Sequence, residues 1–306
     1  MSKASGAGQS AGRRERIAAQ RAAERRRAVR NRVLIVSGAV VVILVIVIVF
    51  VVAKVSSKST TSSASSASNG PTGAALAKVV AATTSVPAST LAQVGAGSVS
   101  TPPAAVSGAP LTSGGKPEML YIGAEYCPYC AFERWGMIVS LSRFGSFSGL
   151  RTIHSSSTDA YPNTPTWTFY KSTYTSKYVT FTPVEETTNV PDKNSPAGYV
   201  PLQTPTPAQQ ALLSKYNPGG SIPFVNFGNK YVITGASALP SVLAGKSWAT
   251  IAADLGDASS PVAQAVNGTA NFMTAAICKM TSNQPASVCT PSVTGLQAKM
   301  ASASGT

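Results

Sequence analysis

Two cysteines three residues apart stand at the centre of Glu118-Met-Leu-Tyr-Ile-Gly-Ala-Glu-Tyr-Cys127-Pro-Tyr-Cys130-Ala-Phe-Glu-Arg-Trp135. A C-x-x-C pair can exchange disulfides when one of its thiols is held as a thiolate. The flanking residues supply the means. Met119 to Ile122 reads as a short apolar strand and Gly123-Ala124 as a turn, and Phe132, Trp135, Ile138, Val139 and Leu141 then recur at helical spacing. Cys127 falls at the first turn of that helix, where unbonded N–H groups and the positive end of the dipole favour a thiolate. Cys130, one turn further in, is the candidate resolving thiol.

Other readings of cysteine compete with this one. The pair could be a structural or vestigial disulfide. Zinc is the other chemistry that C-x-x-C suggests, but it needs a second pair at suitable spacing. The remaining cysteines, Cys278 and Cys289, are eleven apart, and the sole histidine is His154. No metal and no cofactor are therefore expected. Cys278 and Cys289 read as a structural disulfide closing a short loop, with a relay of electrons to Cys127 and Cys130 as the alternative. His154 reads as an ordinary strand residue, and Glu185-Glu186 as a solvated loop end.

The segments around the site are unequal in composition. Residues 1–58 carry twelve Lys and Arg against two Glu, whereas residues 59–306 carry thirteen against nine acids. The net charge of +14 is thus mostly a property of the tail, and no nucleic-acid partner is inferred from it. Nine arginines between Arg13 and Arg32 precede an uncharged, Val/Ile-rich run from Val33 to Ala53. About 20 apolar residues span a bilayer as a helix, and the arginine bias puts the N-terminus in the cytoplasm. The run exceeds a signal-peptide core, so an uncleaved anchor is expected. Four cysteines beyond such an anchor fit an oxidising compartment.

The expected organisation is a basic cytoplasmic tail (1–32), a transmembrane helix (33–53) and a disordered Ser/Thr/Ala/Pro-rich linker (54–116). An α/β domain follows over 117–256, with an insertion at about 157–216, and a helical extension over 257–306 carries Cys278 and Cys289. Within the domain, Gly149 to His154 reads as a second strand. The aromatics from Trp167 to Phe181 read as core of the insertion or as a peptide-binding face. Thr206-Pro207 opens a short helix, and Gly228-Asn229 turns a hairpin after Ile222-Pro223. Asn267-Gly-Thr269 is a glycosylation sequon by pattern alone.

The order strand, C-x-x-C helix, strand, insertion, Ile-Pro-strand, hairpin and helix resembles the thioredoxin superfamily. Ala124-Glu-Tyr-Cys127 resembles its aromatic-Cys entry, Cys127-Pro-Tyr-Cys130 has the dipeptide of many glutaredoxins, and Ile222-Pro223 resembles its cis-proline loop. The wider text from Cys127 through Gly149 is similar to a membrane-anchored family with a thioredoxin-like fold, domain of unknown function 929, over about residues 117–295. The resemblance implies a thioredoxin-like central mixed sheet flanked by helices. It implies a cis Pro223 beside the cysteines, with Ile222, Pro223, Tyr126, Pro128 and Tyr129 holding a substrate chain. Thioredoxin keeps a buried acid six residues before the first cysteine, and here that position is Tyr121. Proton transfer from Cys130 then falls to Glu125, Glu118 or water.

The function expected is thiol–disulfide exchange on exported protein thiols and disulfides, performed from a membrane anchor with a redox partner still to be identified. The alternative is a non-catalytic module that presents its cis-proline loop and aromatic insertion to a partner protein.

Overall fold

The computed structural model describes residues 70–300. The basic tail, the apolar run Val33 to Ala53 and the first part of the expected linker lie outside the described residues. Among the described residues no single helix is long and apolar enough to cross a membrane.

In chain order the elements are α1 (Gly73–Thr84), α2 (Ala88–Val94), β1 (Ala104–Ala105), β2 (Thr112–Ser113), β3 (Lys116–Gly123) and α3 (Pro128–Leu141). Five short strands and one longer strand follow: β4 (Gly145–Ser148), β5 (Arg151–His154), β6 (Pro165–Thr168), β7 (Thr173–Ser176), β8 (Thr180–Glu185) and β9 (Thr187–Pro191). Next come β10 (Tyr199–Pro201), α4 (Pro207–Tyr216), β11 (Phe224–Phe227), β12 (Tyr231–Thr234), α5 (Trp248–Asp254), α6 (Pro261–Met280) and α7 (Pro291–Thr294).

A mixed sheet forms the centre. β3 pairs in parallel with β8 on one side and antiparallel with β11 on the other, and β12 and β1 continue outward from β11. Alternation along β3 divides its side chains between two layers. Met119 and Tyr121 enter the larger core with Phe132, Trp135 and Ile138 of α3 and Val266, Met273 and Ile277 of α6. Leu120 and Ile122 enter a smaller core on the opposite face, with Leu213 of α4 and Phe224.

The expected second strand is present as β5, but it pairs with β6 in a separate two-stranded sheet, and the strand parallel to β3 is β8. Three sequence expectations are corrected. The expected linker is, from Gly70 onward, part of the folded unit. α1 and α2 bury Val79, Leu91 and Val94, β1 and β2 join the central sheet, and Asn271 Nδ2 in α6 donates to the carbonyls of Leu91 and Gly95 at 2.7 and 2.8 Å. Small residues allow this contact. A Cβ at Gly97 would lie 1.9 Å from the Gln264 carbonyl oxygen, and the φ of Gly97 is +55°. The C-terminal segment is likewise no extension, because α6 packs along α3 and supplies much of the larger core. Finally, the sequon is interior: Asn267 is fully buried and its amide donates to the Leu255 carbonyl at 2.8 Å.

The residues from Phe147 to Phe181 form an aromatic core in the insertion. Phe169 meets Tyr121 edge-on at 5.6 Å and Phe181 at 4.9 Å, and Trp167 meets Trp135 at 5.1 Å. Trp167 and Phe169 have 0% and 1% of their surface exposed, which leaves them no contact with a substrate. Cys278 and Cys289 are joined by a disulfide that ties the end of α6 to the following loop.

Candidate active site

Cys127 is the N-cap residue of α3 and Pro128 occupies its first turn. Proline at that position gives up an N–H that has no helical partner. The Cys130 N–H instead finds the Cys127 sulfur at 3.3 Å, so a thiolate at Cys127 caps the helix that carries both cysteines. Both cysteines are free thiols. The hydrogen bond from the Cys130 side chain is the main influence that lowers the Cys127 pKa. Burial opposes it, and the Cys130 N–H, the Arg134 charge and the Tyr129 N–H reinforce it. Cys130 is fully buried, and its pKa is raised well above the ordinary thiol value, chiefly by burial. One sulfur is thus prone to ionise and its neighbour keeps its proton, the asymmetry that an attacking and a resolving thiol require.

The antiparallel pairing of β3 with β11 brings the segment before β11 to the same end of the sheet. Ile222-Pro223 is a cis peptide there, and the Ile222 carbonyl oxygen lies 3.8 Å from the Cys127 sulfur. Cys127, Cys130, Ile222 and Pro223 are therefore gathered at one site, as expected.

The insertion completes the surroundings. Thr187 O accepts from Glu125 N at 3.0 Å, and Tyr126 O accepts from Ser156 N at 2.7 Å, so the loop entering α3 is fastened from two directions. Tyr199 stacks on Tyr126 at 4.2 Å with planes 2° apart, and its hydroxyl lies 2.7 Å from Ser156 Oγ. Tyr129 meets Tyr161 edge-on at 5.8 Å. Tyr161 and Tyr199 were not singled out in the sequence. Their contacts come from loops more than thirty residues beyond the cysteines, and no spacing rule links them.

The two proposed proton acceptors have different positions. Glu125 is buried and its carboxylate accepts the Thr168 hydroxyl of β6. Glu118 lies five residues before Gly123 on β3, about 16 Å along the strand, and cannot reach Cys130 directly. His154 is half-buried on β5 and packs against Trp248 at 4.4 Å, and burial lowers its pKa.

A buried acid tied to the cysteine helix is one that the sequence reading left in solvent. Glu185, at the end of β8, is fully buried. Its carboxylate takes Arg134 Nε at 2.9 Å and Nη2 at 2.6 Å, and the Tyr121 hydroxyl donates to it at 3.4 Å. Arg134, one helical turn beyond Cys130, also donates through Nη2 to the Ala124 carbonyl at 2.7 Å. The Tyr121 ring fills the space this arrangement leaves. A Cβ at Gly123 would lie 2.1 Å from its hydroxyl oxygen, which is why the strand ends in glycine.

Comparison with known families places these features in a group. The chain belongs to the family described as a domain of unknown function (DUF929), whose family model matches residues 102–279, more than half of the chain. The match takes in β3, α3, the insertion, the Ile222-Pro223 loop and nearly all of α6. Neither a curated protein nor a solved structure matches the chain.

Proposed function

We propose that this chain is a thiol–disulfide oxidoreductase with a thioredoxin-like core, held by its N-terminal apolar run in the cell membrane and acting on exported proteins outside the cytoplasm. The observation that carries the reading is the Cys127 sulfur. It caps its own helix, takes the Cys130 N–H at 3.3 Å and faces the Ile222 carbonyl at 3.8 Å. The order β8-β3-β11-β12, with the C-x-x-C helix crossing from β3 to β8, supports the thioredoxin-like assignment.

In the exchange, the Cys127 thiolate attacks a sulfur of the substrate disulfide. The distal substrate sulfur leaves and takes up a proton from solvent. Cys130 then loses its proton and attacks Cys127, which forms the Cys127–Cys130 disulfide and releases the second substrate sulfur as a thiolate, to be protonated in turn. The opposite direction uses the same steps reversed. Ile222, Pro223, Tyr126, Pro128 and Tyr129 would hold the substrate chain alongside.

A second reading is favoured by one observation. Cys127 exposes only 4% of its surface, as a binding module with an inert pair would allow. The deciding experiment uses the full chain with Cys130→Ser, which removes the resolving thiol. Mixed disulfides with exported proteins should accumulate at Cys127 and vanish in Cys127→Ser. Their absence under conditions where the chain is folded would leave the binding module.

A further inference from the structure

We infer that the buried Arg134–Glu185 pair poises Cys127 and Cys130 as an oxidant, so that the substrates are reduced protein dithiols that leave as disulfides. The inference rests on the thiol–disulfide reading above and adds a direction to it.

Both partners of the pair are fully buried and 2.6 Å apart. Taking two charges out of water is costly unless further contacts compensate them. Glu185 is well supplied, with two guanidinium nitrogens, the Tyr121 hydroxyl and the Phe169 N–H at 3.3 Å. Arg134 is not: Nη1 is buried with no hydrogen-bond partner. Its Nη2 holds the carbonyl of Ala124, and the same carbonyl accepts from the Cys127 N–H at 3.3 Å. The guanidinium therefore sits behind the turn that carries the sulfurs, with its anion on the side of β8, and its charge acts on both cysteines.

A cation in that position stabilises a thiolate and does nothing for a neutral disulfide. It favours the reduced form, and a pair whose reduced form is stabilised is an oxidant. A substrate thiolate attacks Cys127 in the Cys127–Cys130 disulfide, and Cys130 leaves and takes a proton. The second substrate thiolate attacks the substrate sulfur of the mixed disulfide, and Cys127 departs as the thiolate that caps α3. Two electrons pass from the substrate dithiol to the pair; one substrate proton ends on Cys130 and the other in solvent. Turnover requires an external oxidant of the disulfide class to take the two electrons.

The test equilibrates the full chain with reduced and oxidised glutathione and measures the dithiol fraction, alongside the ultraviolet thiolate absorbance as a function of pH. Three proteins are compared: the parent, Glu185→Gln and Arg134→Gln/Glu185→Gln. Glu185→Gln leaves the guanidinium uncompensated and should move the equilibrium constant roughly tenfold towards the dithiol, with Cys127 ionising at lower pH; the double variant should move it roughly tenfold the other way. A purely structural role would lower the melting temperature of both without opposite shifts. Shifts of one sign, or none, in a protein that still exchanges with glutathione overturn the inference alone. A parent protein that never equilibrates with glutathione overturns the proposed function and this inference with it. Should the double variant fail to fold, the sign of the Glu185→Gln shift decides.

Discussion

The Tyr121 hydroxyl and the Glu185 carboxylate meet 3.4 Å apart in the interior, across two parallel strands. The strand that leads into the cysteines thus carries a phenol, and the acid it meets is on the neighbouring strand, paired with an arginine from α3. Tyr121, Arg134 and Glu185 form one buried polar cluster.

Glu133 gives a pH-dependent prediction. It is fully buried on α3, and burial raises its carboxyl from 4.5 to about 7 despite the hydrogen bond from the Ser237 N–H. The folded state then binds a proton that the unfolded state has released, so stability is fully present below pH 4.5 and is lost as pH rises to about 7. The loss is of the order of 3 kcal/mol, at 1.36 kcal/mol per pKa unit. Thermal unfolding followed against pH should show this fall, and Glu133→Gln should flatten it. An unchanged slope in Glu133→Gln would assign the dependence to another group.

The disulfide Cys278–Cys289 joins cysteines eleven positions apart where α6 ends. Replacing both cysteines with alanine should cost about 2–4 kcal/mol by the chain-entropy estimate. Denaturant unfolding measures this directly. If the pair were instead a relay, the double replacement would slow reoxidation of Cys127 and Cys130 at unchanged stability.

Gly136 is the contact point of α3 and α6. A Cβ there would lie 2.9 Å from Thr269 Cγ2. Gly136→Ala should therefore destabilise by about 1–3 kcal/mol through overpacking, although alanine favours the helix. A paired Gly136→Ala/Thr269→Ser, which removes the colliding methyl, should recover most of the loss.

Tyr199 holds Tyr126, the residue before the nucleophile, by stacking and by its bond to Ser156. Tyr199→Ala should cost about 1 kcal/mol of stability. It should also raise the alkylation rate of Cys127 several-fold, as the loop before the helix loosens. An alkylation rate equal to that of the parent would show that the stack does not govern access.

The geometry around the cysteines was readable in the sequence because it is local. Cys127, Pro128 and Cys130 owe their geometry to one helix start, and Ile222-Pro223 announces itself just before a strand. The partnership of Arg134 and Glu185 was not readable, since it depends on which strand lies parallel to β3. The sequence offers several short strands after α3 and nothing in their residues says which of them that is. A weak helix at Ala74 to Ala82 could be read inside the linker and is α1, but its packing, and α2 altogether, were hidden by composition. Ser, Thr, Ala and Gly describe a flexible linker equally well, and only the contacts of Gly97 with Gln264 and of Asn271 with Leu91 and Gly95 reveal a close-packed interface. Glu185 was misread for a related reason: its neighbour Glu186 and the Pro/Thr-rich text around it look solvated, although β8 carries it into the core.

The packing of α6 on α3 also bears on the order in which the chain is made. The helix that carries the two free thiols packs against residues 261–280, which leave the ribosome well after Cys130. At about 5–20 residues per second, the 150 residues from Cys130 to Met280 take roughly 8–30 s to synthesise. For that interval the nascent chain presents the face of α3 that bears Gly136 and Ser140 without its cover, together with the aromatic residues of an unfinished core. A chain held extended until Met280 has emerged would keep Cys127 and Cys130 from pairing with Cys278 or Cys289 before α6 packs.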